Sequence, residues 1–140
     1  MRVVLDTNVL VASRRSSRGA SSVLMQFVQD RRIIPLITIA LFLEYEAVLK
    51  RYEHDQANGL RAVATDEALA NFAALAEPVN VHFRWRPQLS DPADELVLDA
   101  AVNGHADALV THNIRDLFVV EERFGIMVLR PSDILELFRS

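Results

Sequence analysis

The sequence predicts an α/β fold, a three-layer α/β/α sandwich with a mostly parallel central sheet. Short apolar runs alternate with segments that have helical periodicity, which is the order of a strand–helix–strand chain. The apolar runs show no alternation of polar and apolar residues, as expected for strands that are buried on both faces. No linker, repeat or low-complexity tract divides the 140 residues, so we expect a single domain over residues 1–140.

The first half of the chain predicts two strands and two helices. Residues 2–6 form an apolar run that ends on Asp6, and Val9, Leu10 and Val11 would also suit a buried strand. A helix is predicted over residues 19–31, because its apolar side chains recur on one face. Residues 33–37 predict the second strand, and Thr38 can cap a helix that runs to about residue 52.

The second half continues the alternation. A helix capped by Thr65 is predicted through residue 75, followed by a strand over 79–83. Asp91 and Pro92 open a helix that Gly104 ends at residue 103, and Asp99, with Glu95 and Asn103 on its side, is expected on a solvated face of that helix. The remaining predicted elements are a strand over 108–111, a short helix after Asn113, a strand over 126–129 and a last helix capped by Ser132.

Composition excludes several classes of protein. The chain has no cysteine, so it has neither a disulfide framework nor a thiolate zinc site nor a cysteine nucleophile. No apolar run reaches the roughly 18 residues that span a bilayer, and the first residues do not resemble a signal peptide, so a cytoplasmic protein is expected. The net charge of −4 argues against a generic nucleic-acid binder, which would usually be basic.

Four carboxylates fall at or beside predicted strand–helix junctions: Asp6, Glu44, Asp94 and Asp116. Each has a purely structural interpretation. Glu44 could be a boundary position of a partly buried helix, although its neighbours one turn away are all apolar. Asp94 could be the third residue of a helix that Ser90 or Asp91 caps, and Asp116 could complement the dipole of a helix that Asn113 caps.

The conjunction of the four acids is more informative than any one of them. The carboxyl ends of parallel strands meet at one edge of the sheet, so the four side chains could meet there. Carboxylates that lie so close raise one another's pKa unless a cation lies among them. Because carboxylate oxygens suit Mg²⁺ or Mn²⁺, the sequence predicts a divalent-metal site.

The sequence resembles PIN-domain proteins, a nuclease fold that includes the toxin ribonucleases of bacterial toxin–antitoxin pairs. The resemblance covers nearly the whole chain and is carried by VVLDTNVLV, TIALFLEYEAVLKRY, DPADELVLDAAVNGHADALVTHNIRDL and FGIMVLRPSDIL. The four acids of the family pattern fall on Asp6, Glu44, Asp94 and Asp116, and its supporting residues fall on Asn8, Thr111 and Asn113. The resemblance thereby identifies the four acids as catalytic and metal-binding residues.

The resemblance implies hydrolysis of RNA phosphodiester bonds with the help of Mg²⁺ or Mn²⁺. In that interpretation Asp6 and Asp94 bind the metal directly, Glu44 and Asp116 bind it directly or through water, and the supporting residues orient the carboxylates. It further implies an antitoxin partner and a homodimer. The apolar residues of the last helix, Ile134, Leu135, Leu137 and Phe138, fit packing either in the core or across a dimer.

RNA contacts are harder to predict. Arg14, Arg15 and Arg18 follow the first strand and could meet phosphates near the catalytic edge, or they could form a solvated helix end. The run 84–86 (Arg-Trp-Arg) could stack on a base or cover a core edge, and His112 is expected in a surface loop.

Two rival classes lack necessary residues. A haloacid-dehalogenase-type phosphatase needs a second acid two residues after the first, but position 8 is Asn. That phosphatase and a receiver domain both need a lysine at a strand end, whereas Lys50, the single lysine, lies within a predicted helix. The remaining alternative is a catalytically silent PIN-like module that binds RNA or a protein.

Overall fold

The computed structural model describes residues 1–16, 18–55, 59–84, 89 and 91–139, with the backbone alone for 53–55 and 59–63. The described strands are β1 (Arg2–Leu5), β2 (Ile34–Ile37), β3 (Glu77–Pro78), β4 (Ala108–Val110) and β5 (Met127–Leu129). All of their recorded pairings are parallel, in the order β3-β2-β1-β4-β5. The chain therefore builds outward from β1 in one direction and then in the other, which creates a topological switch point between β1 and β4.

The described helices are α1 (Thr7–Arg15), α2 (Ala20–Gln29), α3 (Ile39–Asp55), α4 (Gly59–Leu75), α5 (Pro92–Asn103), α6 (Ile114–Phe124) and α7 (Pro131–Leu137). Together with the parallel sheet they confirm the predicted α/β sandwich. None of the helices within the described ranges has both the length and the apolar character to cross a bilayer.

The core is centred on β1, where Val3, Val4 and Leu5 are fully buried. Helix α5 packs against β1, β2 and β4. Its close approach ends at Gly104, where an added Cβ would lie 2.8 Å from the Ala100 carbonyl oxygen and 2.9 Å from Leu36 Cδ1. Gly104 is therefore required by close packing of the helix end against the sheet.

Two predicted helix caps are confirmed. Thr38 Oγ1 accepts a hydrogen bond from Leu41 N at 3.0 Å, and α3 begins directly after it. Asp91 Oδ1 accepts one from Ala93 N at 2.9 Å at the start of α5; Ser90, the alternative cap, lies outside the described residues.

Two other predicted caps are wrong. Helix α4 begins at Gly59, so Thr65 is a buried residue inside the helix. The last helix is capped at Arg130 instead of Ser132, because Pro131 takes the first helical position, where its missing N–H costs nothing.

One helix was not predicted, and one predicted strand is wrong. Val9, Leu10 and Val11 lie in α1, which forms because the carboxylate of Asp6 accepts a hydrogen bond from Thr7 N at 2.8 Å and starts the helix there. No strand is found over residues 79–83; the edge strand is β3, two residues earlier. Beyond Val79 the backbone bonds to a side chain, since His82 N and Phe83 N both donate to Asn103 Oδ1, at 2.8 and 2.9 Å.

The predicted solvated face of α5 is wrong, because this face is buried. Glu95 and Asp99 are 4% and 3% exposed. Residues 79–84 and Leu89 cover this face, and Glu95 Oε1 accepts a hydrogen bond from Leu89 N at 2.8 Å. The Glu95 side chain therefore binds a backbone group of a covering residue, and Asp99 is buried beneath the same residues.

The last helix packs within the chain. Helix α7 lies against α2 and β5, Ile134 is fully buried, and the Phe138 ring meets the Phe27 ring edge-on with centroids 5.3 Å apart. Leu137 remains 52% exposed. Most of the apolar face of α7 thus belongs to the core of the chain.

Candidate active site at the carboxyl edge of the sheet

Asp6 lies at the switch point of the sheet. It follows β1 directly, its N–H donates to the Val110 carbonyl of β4 at 2.8 Å, and its side chain is buried. Burial raises the pKa of Asp6 above its ordinary value of 3.8, while the hydrogen bonds from Thr111 and Thr7 oppose the increase. A buried carboxylate needs hydrogen-bond donors or a cation beside it, and Thr111 and Thr7 supply two donors.

Asp94 occupies the first turn of α5 and is half-buried. Burial and then the negative charges of Asp6, Asp91 and Asp116, with a smaller effect of Glu95, raise its pKa from 3.8 to about 6. Asp6 and Asp116 therefore both lie close enough to Asp94 to repel its carboxylate. Three of the four acids that the sequence singled out share one electrostatic field at this edge.

Asp116 is exposed in the first turn of α6, which follows β4. It lines a cleft with His112, Asn113, Ile114, Arg115, Phe118 and Arg130, which we call the α6 cleft; its volume is about 760 Å³. The predicted cap residue, Asn113, occupies the N-cap position of α6 but makes no side-chain capping bond. The charge of Asp116 also raises the pKa of Asp94. Asp116 therefore has an electrostatic effect beyond that on the dipole of α6.

Glu44 is the acid that the structure does not join to the others. It is half-buried on α3, and it is not among the charges that shift the pKa of Asp6 or Asp94. Val48, one turn later on the same helix face, lines a cleft of about 430 Å³ together with Thr7 and Asn8. Glu44 itself does not line that cleft, so among the described residues it is not placed with the other three acids.

The supporting residues form a connected set of hydrogen bonds around Asp6. Thr111 is fully buried, and its hydroxyl donates to Asp6 Oδ2 at 2.7 Å while it accepts from Asn113 N at 2.9 Å. Asn8 Oδ1 accepts from His112 N at 3.3 Å. These bonds connect β1, α1 and the loop after β4, so they fix the direction in which the Asp6 carboxylate points.

Three residues that the sequence did not assign to the site also contribute. Asp91 caps α5 and acts on both Asp6 and Asp94 through its charge; its place three residues before Asp94, one helical turn away, was the signal for it. The fully buried Tyr45 donates its hydroxyl to the Leu5 carbonyl, and burial and the charge of Asp6 raise its pKa well above 10. No pattern in the sequence distinguishes this tyrosine from a core residue.

His112, the third of them, is exposed in the loop after β4, as expected. Its Nε2 lies 3.2 Å from Ser21 Oγ, and the ring borders both clefts. Its charge would lower the pKa of Asp6, so the two groups are close.

The three predicted RNA-binding arginines differ in their surroundings. Arg14 Nη2 donates to Thr65 Oγ1 at 3.3 Å, which directs it toward α4. Arg15 lies over the Tyr52 ring, with 5.4 Å between its Cζ and the ring centroid, and it lines the same cleft as Asn8. Arg18 is exposed. Of the predicted stacking run 84–86, Arg84 is exposed and residues 85 and 86 lie outside the described residues.

The donor chemistry at this edge fits a divalent cation. Asp6, Asp94 and Asp116 offer hard carboxylate oxygens, and a cation would relieve the repulsion of Asp94 by the other two. Across the described ranges, no group of three His, Asp or Glu side chains is arranged as a ready-made metal cage.

The family model of the PIN domain matches residues 2–115, more than half of the chain. The chain belongs to the PIN-domain family. The match includes Asp6, Glu44 and Asp94 and ends one residue before Asp116. No curated protein matches this PIN domain in sequence.

A solved structure with the same fold is that of VapBC2 from Rickettsia felis, bound to a DNA fragment from the VapBC2 promoter. It is 14% identical and has a TM-score of 0.61, over 93% of this chain and 98% of that chain. At this identity the likeness establishes the fold.

Proposed function

We propose that this PIN domain is a ribonuclease that hydrolyses RNA phosphodiester bonds with Mg²⁺ or Mn²⁺. The observation that supports it best is the shared field of Asp6, Asp94 and Asp116 at the switch point of the sheet. Sites of open α/β sheets lie at such a point. Membership in a family of nucleases supports the reaction class.

In this proposal Asp6 and Asp94 hold the metal directly, and Asp116 and Glu44 hold it directly or through water. The bound ion would activate a water and offset the charge that develops on the phosphate. The Asp6 carboxylate would face the metal in one orientation because Thr111 and Thr7 donate to its two oxygens, at 2.7 and 2.8 Å. Asn8 and Asn113 keep the loop after β4 in place by their bonds to His112 N and Thr111 Oγ1.

The test is cleavage of a labelled single-stranded RNA by the purified chain with Mg²⁺, Mn²⁺ or EDTA. We expect cleavage that needs the metal and that falls at least a hundredfold in Asp94→Asn. The matched control is Asp30→Asn, the same chemical change at the C-terminal end of α2. Because Asp30 precedes β2, it lies at the opposite edge of the sheet.

Each outcome assigns the activity differently. Metal-dependent cleavage that is lost in Asp94→Asn and kept in Asp30→Asn establishes the nuclease. Cleavage that survives Asp94→Asn refutes the assignment of Asp94. A folded wild-type protein that cleaves no RNA in a broad panel refutes the proposal in favour of a silent module that binds RNA or a protein.

We further propose that the chain is the toxin of a toxin–antitoxin pair and acts in the cytoplasm as a homodimer with an antitoxin partner. The support is the PIN-domain family and the fold that it shares with VapBC2. Ile39 and Leu43, 83% and 54% exposed on one face of α3, offer an apolar surface for a second copy. Light scattering after gel filtration would measure the dimer, and Leu43→Glu should make it a monomer. Growth arrest on expression, relieved by Asp94→Asn, would test the toxin.

A further inference from the structure

The α6 cleft contains the chemistry of a nucleotide-binding subsite. It opens beside Asp116 and is bordered by His112 on the side of the acidic site. Arg115 comes from the first turn of α6, and Arg130 follows β5, so the cleft lies at the carboxyl ends of β4 and β5. It therefore adjoins the candidate site along the same edge of the sheet.

Two cations in this cleft are exposed and make no ion pair. Neither the Arg115 nor the Arg130 guanidinium has a carboxylate partner among the residues that the structure describes. By contrast, the exposed Arg139 pairs with Glu136 at 3.2 Å. In a protein with a net charge of −4, two unpaired guanidinium groups in one cleft favour an anionic ligand.

An exposed aromatic ring completes the cleft. Phe118 is 45% exposed and lies three residues after Arg115, on the same helix face. A nucleobase can stack on an exposed aromatic ring of this kind. Arginine forks bind phosphate oxygens in two-point contacts.

We propose that the α6 cleft binds one nucleotide of single-stranded RNA, with its phosphate on Arg115 and Arg130 and its base on Phe118. A single strand is required because a base in a duplex is stacked on its neighbours and cannot reach the ring. An acidic peptide is disfavoured, since it has no base to stack on Phe118. The inference rests on the proposed ribonuclease, because it supplies that enzyme with a substrate contact next to its acids.

The test is binding of a fluorescent single-stranded RNA, measured by anisotropy in EDTA so that nothing is cleaved. We expect the double variant Arg115→Gln/Arg130→Gln to bind about a hundredfold more weakly, with a salt dependence whose slope falls by roughly 0.7 for each lost phosphate contact. Phe118→Leu should weaken binding about tenfold, whereas Phe118→Trp should keep it. Duplex RNA should bind equally to the wild type and to Phe118→Leu.

The controls are Arg139→Gln, which makes the same substitution at one position just after α7, and Leu137→Ala, which removes another exposed apolar side chain. Both should bind RNA like the wild type. Thermal melting of every variant verifies folding, and Phe118→Leu preserves the buried part of the side chain.

The outcomes separate this proposal from the ribonuclease. RNA that is cleaved by the wild type and bound equally by all the cleft variants would overturn the subsite and leave the enzyme intact. RNA binding that depends on the cleft in a protein that cleaves nothing would uphold the subsite and refute the enzyme. Unchanged RNA binding with loss of binding to a polyglutamate peptide would assign the cleft to an acidic protein and overturn the proposal.

Discussion

Replacing Asp94 by Asn tests whether the carboxylates at the sheet edge repel one another. In the folded protein, burial and the charges of Asp6, Asp91 and Asp116 raise the pKa of Asp94 to about 6, whereas an unfolded chain has its ordinary value of 3.8. The folded state therefore holds more protons than the unfolded state between these two values. It follows that the free energy of unfolding falls as the pH rises from about 4 to about 6.

The magnitude follows from the difference between the two pKa values. At about 1.4 kcal/mol for each pKa unit, a rise from 3.8 to about 6 corresponds at most to about 3 kcal/mol. Asp94 is half-buried, so water and salt screen much of the repulsion, and we expect about 1 kcal/mol. Asp94→Asn removes this titration and one charge near Asp6, so its unfolding free energy should depend less on pH by about that amount.

The measurement is urea unfolding followed by circular dichroism between pH 4.5 and 7.5, with EDTA present. Asp30→Asn is again the control and should keep the wild-type pH dependence. In a separate series without EDTA at pH 7, Mn²⁺ at ten times its Kd should stabilise the wild type by about 1.4 kcal/mol, and Asp94→Asn by much less. If the wild type and Asp94→Asn lose the same free energy between pH 4.5 and 7.5, Asp94 is not in a repulsive cluster and the electrostatic basis of the site fails.

Three further substitutions probe the frame of the site. Thr111→Val removes the bond to Asp6, so it should cost about 1–2 kcal/mol by urea unfolding and raise the pKa of Asp6 further in an NMR titration; an unchanged pKa would contradict the role of that bond. Tyr45→Phe should cost about 1 kcal/mol because the Leu5 carbonyl loses its buried donor, and an equally stable variant would show that water replaces it. Gly125→Ala should lower the melting temperature, since its φ of 68° costs an alanine about 1 kcal/mol; a higher melting temperature would refute this.

The position of the site could be predicted because it depends on strand order at one edge. An apolar run that ends on Asp6 and another that ends at Thr111 become neighbours once both strands are parallel and adjacent, as β1 and β4 are. The acids at the starts of α5 and α6 then follow from short connections. This reasoning needs only periodicity and the rule that parallel strands share their carboxyl edge.

The sequence could not reveal the reach of each side chain. Glu44 was assigned to the site from the apolar neighbours on its helix face, but a face defines a direction and not a distance from Asp6. Asp91 was interpreted as a cap, and it is one, yet its charge also acts on Asp94. One residue can serve as a cap and as part of an electrostatic cluster, and a pattern of residue types does not separate the two roles.

Helix α1 was missed for a related reason. The run Val9-Leu10-Val11 favours a strand by its side chains, but a helix forms because Asp6 caps it and Val9 and Leu10 still reach the core. Here one side-chain hydrogen bond and tertiary packing outweigh a local preference. The consequence for the site is direct, because the same helix start holds the Asp6 carboxylate in place.

The buried polar face of α5 binds backbone groups of residues 82, 83 and 89, which precede the helix. Asn103 accepts hydrogen bonds from His82 N and Phe83 N, and Glu95 accepts one from Leu89 N, so the segment is attached along the helix before the chain enters α5 at Asp91. Burying these polar side chains would be costly in water-free surroundings unless backbone donors met them. Asp91 caps the start of α5, where its charge acts on Asp6 and Asp94. A periodic pattern reports only side chains and cannot detect such backbone partners, which is why this face was expected in water.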